Sequence, residues 1–368
     1  MRKVTVIGAG IGGLAAATAL AQRGAEVTVL ERAPELTEVG AGLQISPNGL
    51  AVLDALGLGE DIRAVGVRNR SIHLVDGLRD RTIARLPLGD RSYLLLHRFD
   101  LVDVLARGAK RAGVTLRFGQ DVDAVADGPE PQIDGVAQEF VLGADGLRSI
   151  ARPVLNGAAS PVFSGQVAWR AVVTGDMPSE ARVDMGPGKH LVRYPLRDGR
   201  INLVGVVEDA HWRAEGWHHA GDPDTFRATF ADLPGAREDL ARVSEVGVWG
   251  LFLHPVAQVW AGQNVAILGD AAHPTLPFLA QGANLALEDA WSFAAAFERG
   301  DLPAWQAVRQ PRVQRALDAA RSNARNYHLT GPARMVAHLG LRGLSRLSPD
   351  ALTRRFDWLY GYDVTRER

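Results

Sequence analysis

Three carboxylates, Glu31, Asp145 and Asp270, each sit at the end of a short apolar run. Where such runs are strands of an open α/β sheet, ligands collect outside their C-terminal ends, so the three side chains could face one crevice. The first is accompanied by glycines at the G-x-G-x-x-G positions, Gly8, Gly10 and Gly13. Gly8 suits a tight turn, and Gly10 lets the backbone approach a pyrophosphate. Gly13 lets the following helix pack on its strand, with its N-terminal N–H groups and positive dipole end facing the phosphates. Glu31 can accept hydrogen bonds from a ribose diol and repels a 2′-phosphate. The pattern reads as a dinucleotide site, and three strand ends with polar groups suit one long ligand. Each Gly-Asp turn alone could equally be a helix cap.

Behind these residues must lie elements that position them. Residues 2–31 read as a β-α-β unit, with an alanine-rich helix over Ala15–Arg23 closed by Gly24. Residues 37–48 read as a loop and short strand, and a helix follows to Gly57. Residues 71–97 alternate in polarity around an Asp-Gly turn, as antiparallel strands do. A second strong helix spans Leu101–Ala112. Short strands are expected at 115–118, 121–126 and 140–143. From about 162 to 255 the segments 167–173, 190–194, 201–207 and 246–253 are short and β-rich, which predicts an inserted, mostly antiparallel sheet. The α/β style returns at Asn264–Leu268 with a helix from about 281 to 299, and 303–368 reads as helical. The fold class is therefore α/β. It comprises a Rossmann-like nucleotide domain (1–70, 96–160 and 256–305), an inserted β-sheet substrate domain (71–95 and 161–255) and a C-terminal helical segment (306–368).

Bulk properties narrow the function. The chain has 368 residues, 46% hydrophobic, enough for a large core and two domains. A net charge of −1 gives no basic field for nucleic acid or an anionic membrane. With no cysteine, disulfides, thiolate catalysis, Fe–S clusters and Cys-ligated zinc are excluded. No apolar run is long enough to span a membrane, and the N-terminus runs straight into a strand, so a cytoplasmic protein without signal peptide is expected.

Together, Gly8–Gly13 with Glu31, the Asp145-Gly146 turn and the run Gly-Asp-Ala-Ala-His-Pro-Thr-Leu-Pro-Phe-Leu-Ala-Gln-Gly-Ala-Asn from Gly269 resemble the signatures of the class A flavoprotein aromatic hydroxylases. The match extends along nearly the whole chain and looks most like the salicylate and 3-hydroxybenzoate 6-hydroxylase branch. The resemblance implies a GR2-type FAD-binding fold. It also implies FAD as cofactor, NADH or NADPH as co-substrate, and hydroxylation of a small phenolic acid or N-heteroaromatic by O₂ through a flavin C4a-hydroperoxide. Carried over by position, Gly8, Gly10 and Gly13 surround the FAD pyrophosphate, with Gly12 and Arg32 counted among the cofactor-binding residues. Glu31 binds the adenosine ribose, Arg98 contacts the phosphates or ribityl chain, and the Val122 backbone meets the adenine. Asp145 supports the flavin and nicotinamide sides, and Asp270 holds ribityl hydroxyls. Gly282, Ala283 and Asn284 open a helix aimed at the flavin O2 region, where its dipole stabilises negative charge.

The base that takes the phenolic proton is less well marked. Relatives carry a histidine just past the strand equivalent to Leu203–Val207, and here Glu208 stands there with His211 nearby. A glutamate would need burial to raise its pKa, and both could be ordinary turn residues. Tyr194 and Arg193 either line the pocket or are plain sheet residues. Pro277 and Phe278 match the segment beside the flavin. His273 has no companions at ligand spacing, so no metal is expected. No Trp-x-Trp-x-Ile-Pro run is present, against a halogenase. The stretch Met335–Leu347 packs on the FAD domain, forms a homodimer face or lies on a membrane surface. A flavin oxidase or isoprenoid-quinone hydroxylase of the same fold, and an FAD-binding scaffold without chemistry, are the competing readings.

Overall fold

A computed structural model describes residues 2–36, 42–210 and 219–367. Its centre is a five-stranded parallel sheet in the order Val265–Ile267, Val141–Gly143, Lys3–Ile7, Glu26–Glu31, Thr115–Phe118. Val141–Gly143 and Val265–Ile267 are buried throughout, as fits a covered parallel sheet, while Lys3–Ile7, Glu26–Glu31 and Thr115–Phe118 alternate between more and less enclosed positions. The first helix, Ile11–Gln22, carries Ala15, Ala16, Ala17 and Ala19 without exposed surface. Small side chains let it lie close to two other helices, Arg98–Arg111 and Gly282–Arg299. Gly24, at φ +84°, ends it.

The second sheet has eight strands, in the order His219–Gly221, Val246–Leu253, Val162–Thr174, Arg200–Glu208, Lys189–Leu196, Glu180–Gly186, Ser71–Asp76, Arg81–Pro87. One face, with Ala168, Val204, Val206, Trp249 and Leu251, joins the core of the parallel-sheet half. The other is covered by Phe226, Phe230, Leu233 and Leu240. Three details differ from the sequence reading. Glu180–Gly186 adds an unexpected strand, and its pairing with Ser71–Asp76 is parallel, because the intervening chain returns from far away. Only Val125–Ala126 of 121–126 is strand. The helix Gly331–Leu347 packs against the Arg81–Pro87 edge strand, not the nucleotide-binding half, and leaves Met335, Val336, Leu339 and Leu347 exposed. Among the described residues no helix is long and apolar enough to cross a membrane.

A buried ion cluster ties these parts together. Arg309, from the long helix Leu302–Tyr327, donates Nε to Asp289 Oδ1 at 2.9 Å and Nη1 to Glu288 Oε2 at 2.5 Å. Glu288 Oε1 also accepts from Arg312 and from Asn48 Nδ2. Removing one member of a buried ion cluster leaves its partners uncompensated, which costs about 3–5 kcal/mol. Arg309→Met is therefore expected to lose about that much in urea unfolding, and an unchanged midpoint would contradict this role.

Candidate functional site

The glycine turn is built by contact. Gly8 has φ +102°, and a Cβ there would lie 2.6 Å from the Ala144 carbonyl oxygen. A Cβ on Gly13 would lie 2.0 Å from the Gly8 oxygen, so the helix sits hard against its strand, and one on Gly12 would meet Leu268 at 2.8 Å. Gly10 is the opposite case, with nothing within 4 Å. That open space fronts a helix start with no side-chain cap and no acid in its first turn, which leaves N–H groups and a positive dipole end for an anion. Glu31 accepts from Ala9 N at 2.8 Å and Ala33 N at 2.9 Å, which fixes its carboxylate beside the turn. Arg32 is exposed next to it. Val122 is buried a little beyond Phe118, the residue paired with Glu31.

Strand register brings the other two turns alongside. Ile7 pairs with Gly143, and Gly143 with Ile267, so the three strand ends are level. Asp145 Oδ2 accepts from Ile150 N at 2.7 Å, while buried Oδ1 has no partner among the described residues. Burial raises the Asp145 pKa, and its hydrogen bonds only partly offset that. Burial also raises Asp270, opposed by His273 and Arg98. Arg98 opens its helix and is lowered by burial against the attraction of Asp270 and Glu31. Arg98 and Asp270 both keep surface open to solvent while enclosed by protein, as residues lining a deep crevice do. An orphaned carboxylate oxygen, an uncapped helix start, and an arginine and a carboxylate within electrostatic reach of each other suit the phosphates and hydroxyls of FAD.

The third turn rests on the ion cluster. Asp289 Oδ2 accepts from Gly269 N at 3.1 Å and from the His273 ring, and Trp260 stacks on His273. Burial alone would raise the Asp289 pKa, but His273 and Arg309 outweigh it and hold it below the ordinary value. His273 is thus structural. The helix from Gly282 follows left-handed Ala280 and starts without a side-chain cap or an acid in its first turn. Asn284 commits its side chain to the protein, with Oδ1 accepting from Ser46 N and Nδ2 donating to the Gln44 and Ala280 carbonyls. Gly282, Ala283 and Asn284 can therefore offer a ligand only main-chain N–H groups.

Strand alternation sorts the remaining candidates. Arg170, His190, Tyr194 and Asn202 share the sheet face toward the parallel-sheet half, since Tyr194 pairs with Asn202, His190 with Val206 and Arg170 with Val204. Arg193 points the other way and is paired with Asp184 and Asp239, so it is a framework residue. Burial raises the Tyr194 pKa despite nearby Arg170, so its hydroxyl stays protonated and can donate but not act as a base at neutral pH. Glu208 lies at the rim, with 58% of its side chain exposed, and its Oε1 meets His328 Nδ1 at 3.1 Å. It does not reach into the crevice itself. His211 lies outside the described residues. Pro277 begins a short 3₁₀ turn with buried Phe278, whose ring is 5.6 Å from that of His190.

Three residues escaped the sequence reading. Arg170 is stacked on Trp249 at 4.8 Å, has a buried Nε without a partner, and has no ion pair or hydrogen bond among the described residues. His190 and His328 meet across 138 positions. Arg170 had a signal, a charge amid an apolar strand, whereas nothing in the sequence joins the two histidines.

The FAD binding domain family model matches residues 1–320. A 3-amino-4-hydroxybenzoate 2-monooxygenase of Streptomyces cremeus is 36% identical, with 89% of this chain and 88% of that one covered. A 3-hydroxybenzoate 6-hydroxylase of Polaromonas naphthalenivorans is 35% identical over 98% of this chain and 96% of its own. Among solved structures, HpxO of Klebsiella pneumoniae complexed with FAD and uric acid aligns with TM-score 0.83 at 26% identity, covering 94% of both chains. A salicylate hydroxylase substrate complex shares the fold, with TM-score 0.84 at 22% identity over 99% of this chain and 96% of the other.

The two carboxylate shifts have opposite signs and separate in measurement. Asp289, held low, stabilises the fold above the ordinary carboxylate pKa of about 4, and that contribution is lost as pH falls through its lower folded value. Asp270, held high, costs stability once pH rises above the unfolded value. Asp270→Asn is therefore expected to stabilise the apoprotein at neutral pH yet weaken FAD binding about 10- to 100-fold, from loss of charged hydrogen bonds contributing about 1.5–3 kcal/mol. Thermal denaturation and recovery of free-flavin fluorescence read the two effects. Unchanged FAD affinity would remove Asp270 from the site.

Proposed function

We propose that this chain, which belongs to the FAD binding domain family and within it to the flavoprotein aromatic monooxygenases, hydroxylates a small aromatic acid whose anionic group is held by Arg170. One oxygen atom of O₂ enters the ring and the other leaves as water, with NADH or NADPH supplying two electrons. When bound, FAD supplies the electron storage and oxygen chemistry that amino-acid side chains lack.

The protein's part is to bind, orient and exclude water. In this reading 1–70, 96–160 and 256–305 form the coenzyme domain, and 71–95 with 161–255 form the substrate domain. The Gly8–Gly13 turn and its helix start take the pyrophosphate, and Glu31 takes the ribose. Arg98 and Asp270 would hold the polar chain between them, and the helix start at Gly282 would offer its main-chain N–H groups to the isoalloxazine. The observation that carries the substrate class is Arg170. A guanidinium has five N–H donors and is always charged, so holding one that meets, among the described residues, the Trp249 face but no anion is costly unless an anion completes it. A carboxylate fits that fork in two parallel bonds. Tyr194 donates from the same face, and Phe278 and Val206 give the ring apolar walls.

A panel of hydroxybenzoates and hydroxypyridine carboxylates, scored for stimulated NAD(P)H oxidation with hydroxylated product, tests this reading. Stoichiometric H₂O₂ without ring hydroxylation would favour an oxidase. Arg170→Gln is expected to raise KM for the acid about 10- to 100-fold, the loss of a charged bidentate contact, while hardly affecting a neutral phenol. Equal losses for both would reject Arg170 as the anion's partner.

A further inference from the structure

The buried pair His190 and His328 forms one line with Glu208. His190, on the strand Lys189–Leu196, is 3% exposed, and its Nδ1 lies 2.8 Å from His328 Nε2. His328 caps the C-terminus of the helix Leu302–Tyr327, is 5% exposed, and its Nδ1 lies 3.1 Å from Glu208 Oε1. Glu208 opens to solvent. Three side chains from three elements thus lead from the crevice face of the sheet to the surface.

The donor inventory fixes the direction of every bond. An ionised carboxylate only accepts, so His328 donates from Nδ1 to Glu208. With both imidazoles neutral, His328 Nε2 must accept, so His190 donates from Nδ1. His190 Nε2 is left with a lone pair and no partner among the described residues. Burial lowers the pKa of both rings, His190 well below its ordinary value, which keeps them neutral at rest. The other groups packed on His190 do not disturb this order. Tyr327, whose ring centroid is 5.2 Å away, is pushed up to about 12 by burial and stays protonated. Phe278, Val206 and Met185 carry no charge.

We propose that His190 Nε2 accepts the hydroxyl proton of the aromatic substrate, and that His328 and Glu208 pass a proton on to water. As the substrate O–H breaks, its proton joins His190 Nε2. His190 Nδ1 gives its proton to His328 Nε2, and His328 Nδ1 gives its own to Glu208, which releases it to solvent. The substrate becomes a phenolate, and both imidazoles end the transfer neutral, each having gained a proton on one nitrogen and lost one from the other. His190 is the catalytic group, while His328 and Glu208 act through it. The assignment rests on the substrate class above and moves the base away from Glu208 itself.

Binding in the absence of reductant tests the relay without turnover. The FAD-loaded protein is mixed with a hydroxybenzoate whose phenol is protonated in free solution, in weak buffer with a pH indicator. Wild type is expected to show the phenolate absorption band at neutral pH and to release one proton per ligand. His190→Gln is expected to bind the neutral phenol, its half-ionisation moved up by at least about one pH unit, a tenfold change in the equilibrium. Glu208→Gln, a rim substitution that keeps an acceptor for His328 but takes no proton, should leave affinity unchanged and slow proton appearance about tenfold or more. Ligand bound as phenolate by His190→Gln with wild-type pH dependence would overturn the relay alone, as would wild-type release in Glu208→Gln. No hydroxybenzoate binding by wild type would overturn the substrate class and the relay with it.

Discussion

The Arg309 guanidinium between Glu288 and Asp289 is the constraint on which the crevice depends. Two adjacent carboxylates without exposed surface on the helix Gly282–Arg299 are tolerable only because Arg309 and Arg312 neutralise them. Once neutralised, they do positional work. Asp289 holds the Gly269 amide and the His273 ring, which sets the Asp270 turn. Glu288 holds Asn48, which with Gln281 and Ser46 fixes the chain that follows the Gly42–Ile45 strand. A helix start, a carboxylate turn and the floor between them thus share one electrostatic anchor.

The two halves of the molecule meet their ligands differently. The parallel-sheet half offers main-chain groups at its two uncapped helix starts, with Gly10 leaving open space before one and Asn284 spending its side chain on neighbouring carbonyls at the other, beside the side chains of Glu31, Arg98, Asp145 and Asp270. Main-chain donors on packed elements hold their geometry without ordering long side chains, which favours a permanently bound coenzyme. The eight-stranded sheet presents side chains, and one face of alternating residues carries a cation, a phenol and an imidazole. Substitutions on that face would leave undisturbed the framework behind it, where Arg193, Asp184 and Asp239 are locked together.

What could be read from the sequence followed its range of interaction. The turns at Gly8–Gly13, Asp145 and Gly269–Asp270 are legible because strand, glycine and acid are neighbours in the chain, and the parallel sheet then aligns them. The resemblance to aromatic hydroxylases rests on those same turns. Tyr194 and Arg193 show where this stops, because the sequence places both on one strand, and only the sheet's packing decides which side faces the crevice. His190, His328 and Glu208 lie on three elements joined by the register of Lys189–Leu196 with Arg200–Glu208 and by the end of a long helix. Glu208 was singled out from its alignment to the relatives' histidine, and the structure gives it a different neighbour and a rim position. The Glu180–Gly186 strand is hidden in the sequence because Glu180, Arg182 and Asp184 interrupt its apolar residues, although all of the strand except Arg182 is buried.

The central claim is that this crevice inserts oxygen from O₂ into an aromatic acid. Turnover of the FAD-loaded protein with NAD(P)H, a hydroxybenzoate and ¹⁸O₂ tests it most directly, read by mass spectrometry of the product. One ¹⁸O atom is expected in the new ring hydroxyl. A product whose new oxygen comes from water, or consumption of ¹⁸O₂ that ends only in labelled peroxide, would contradict it.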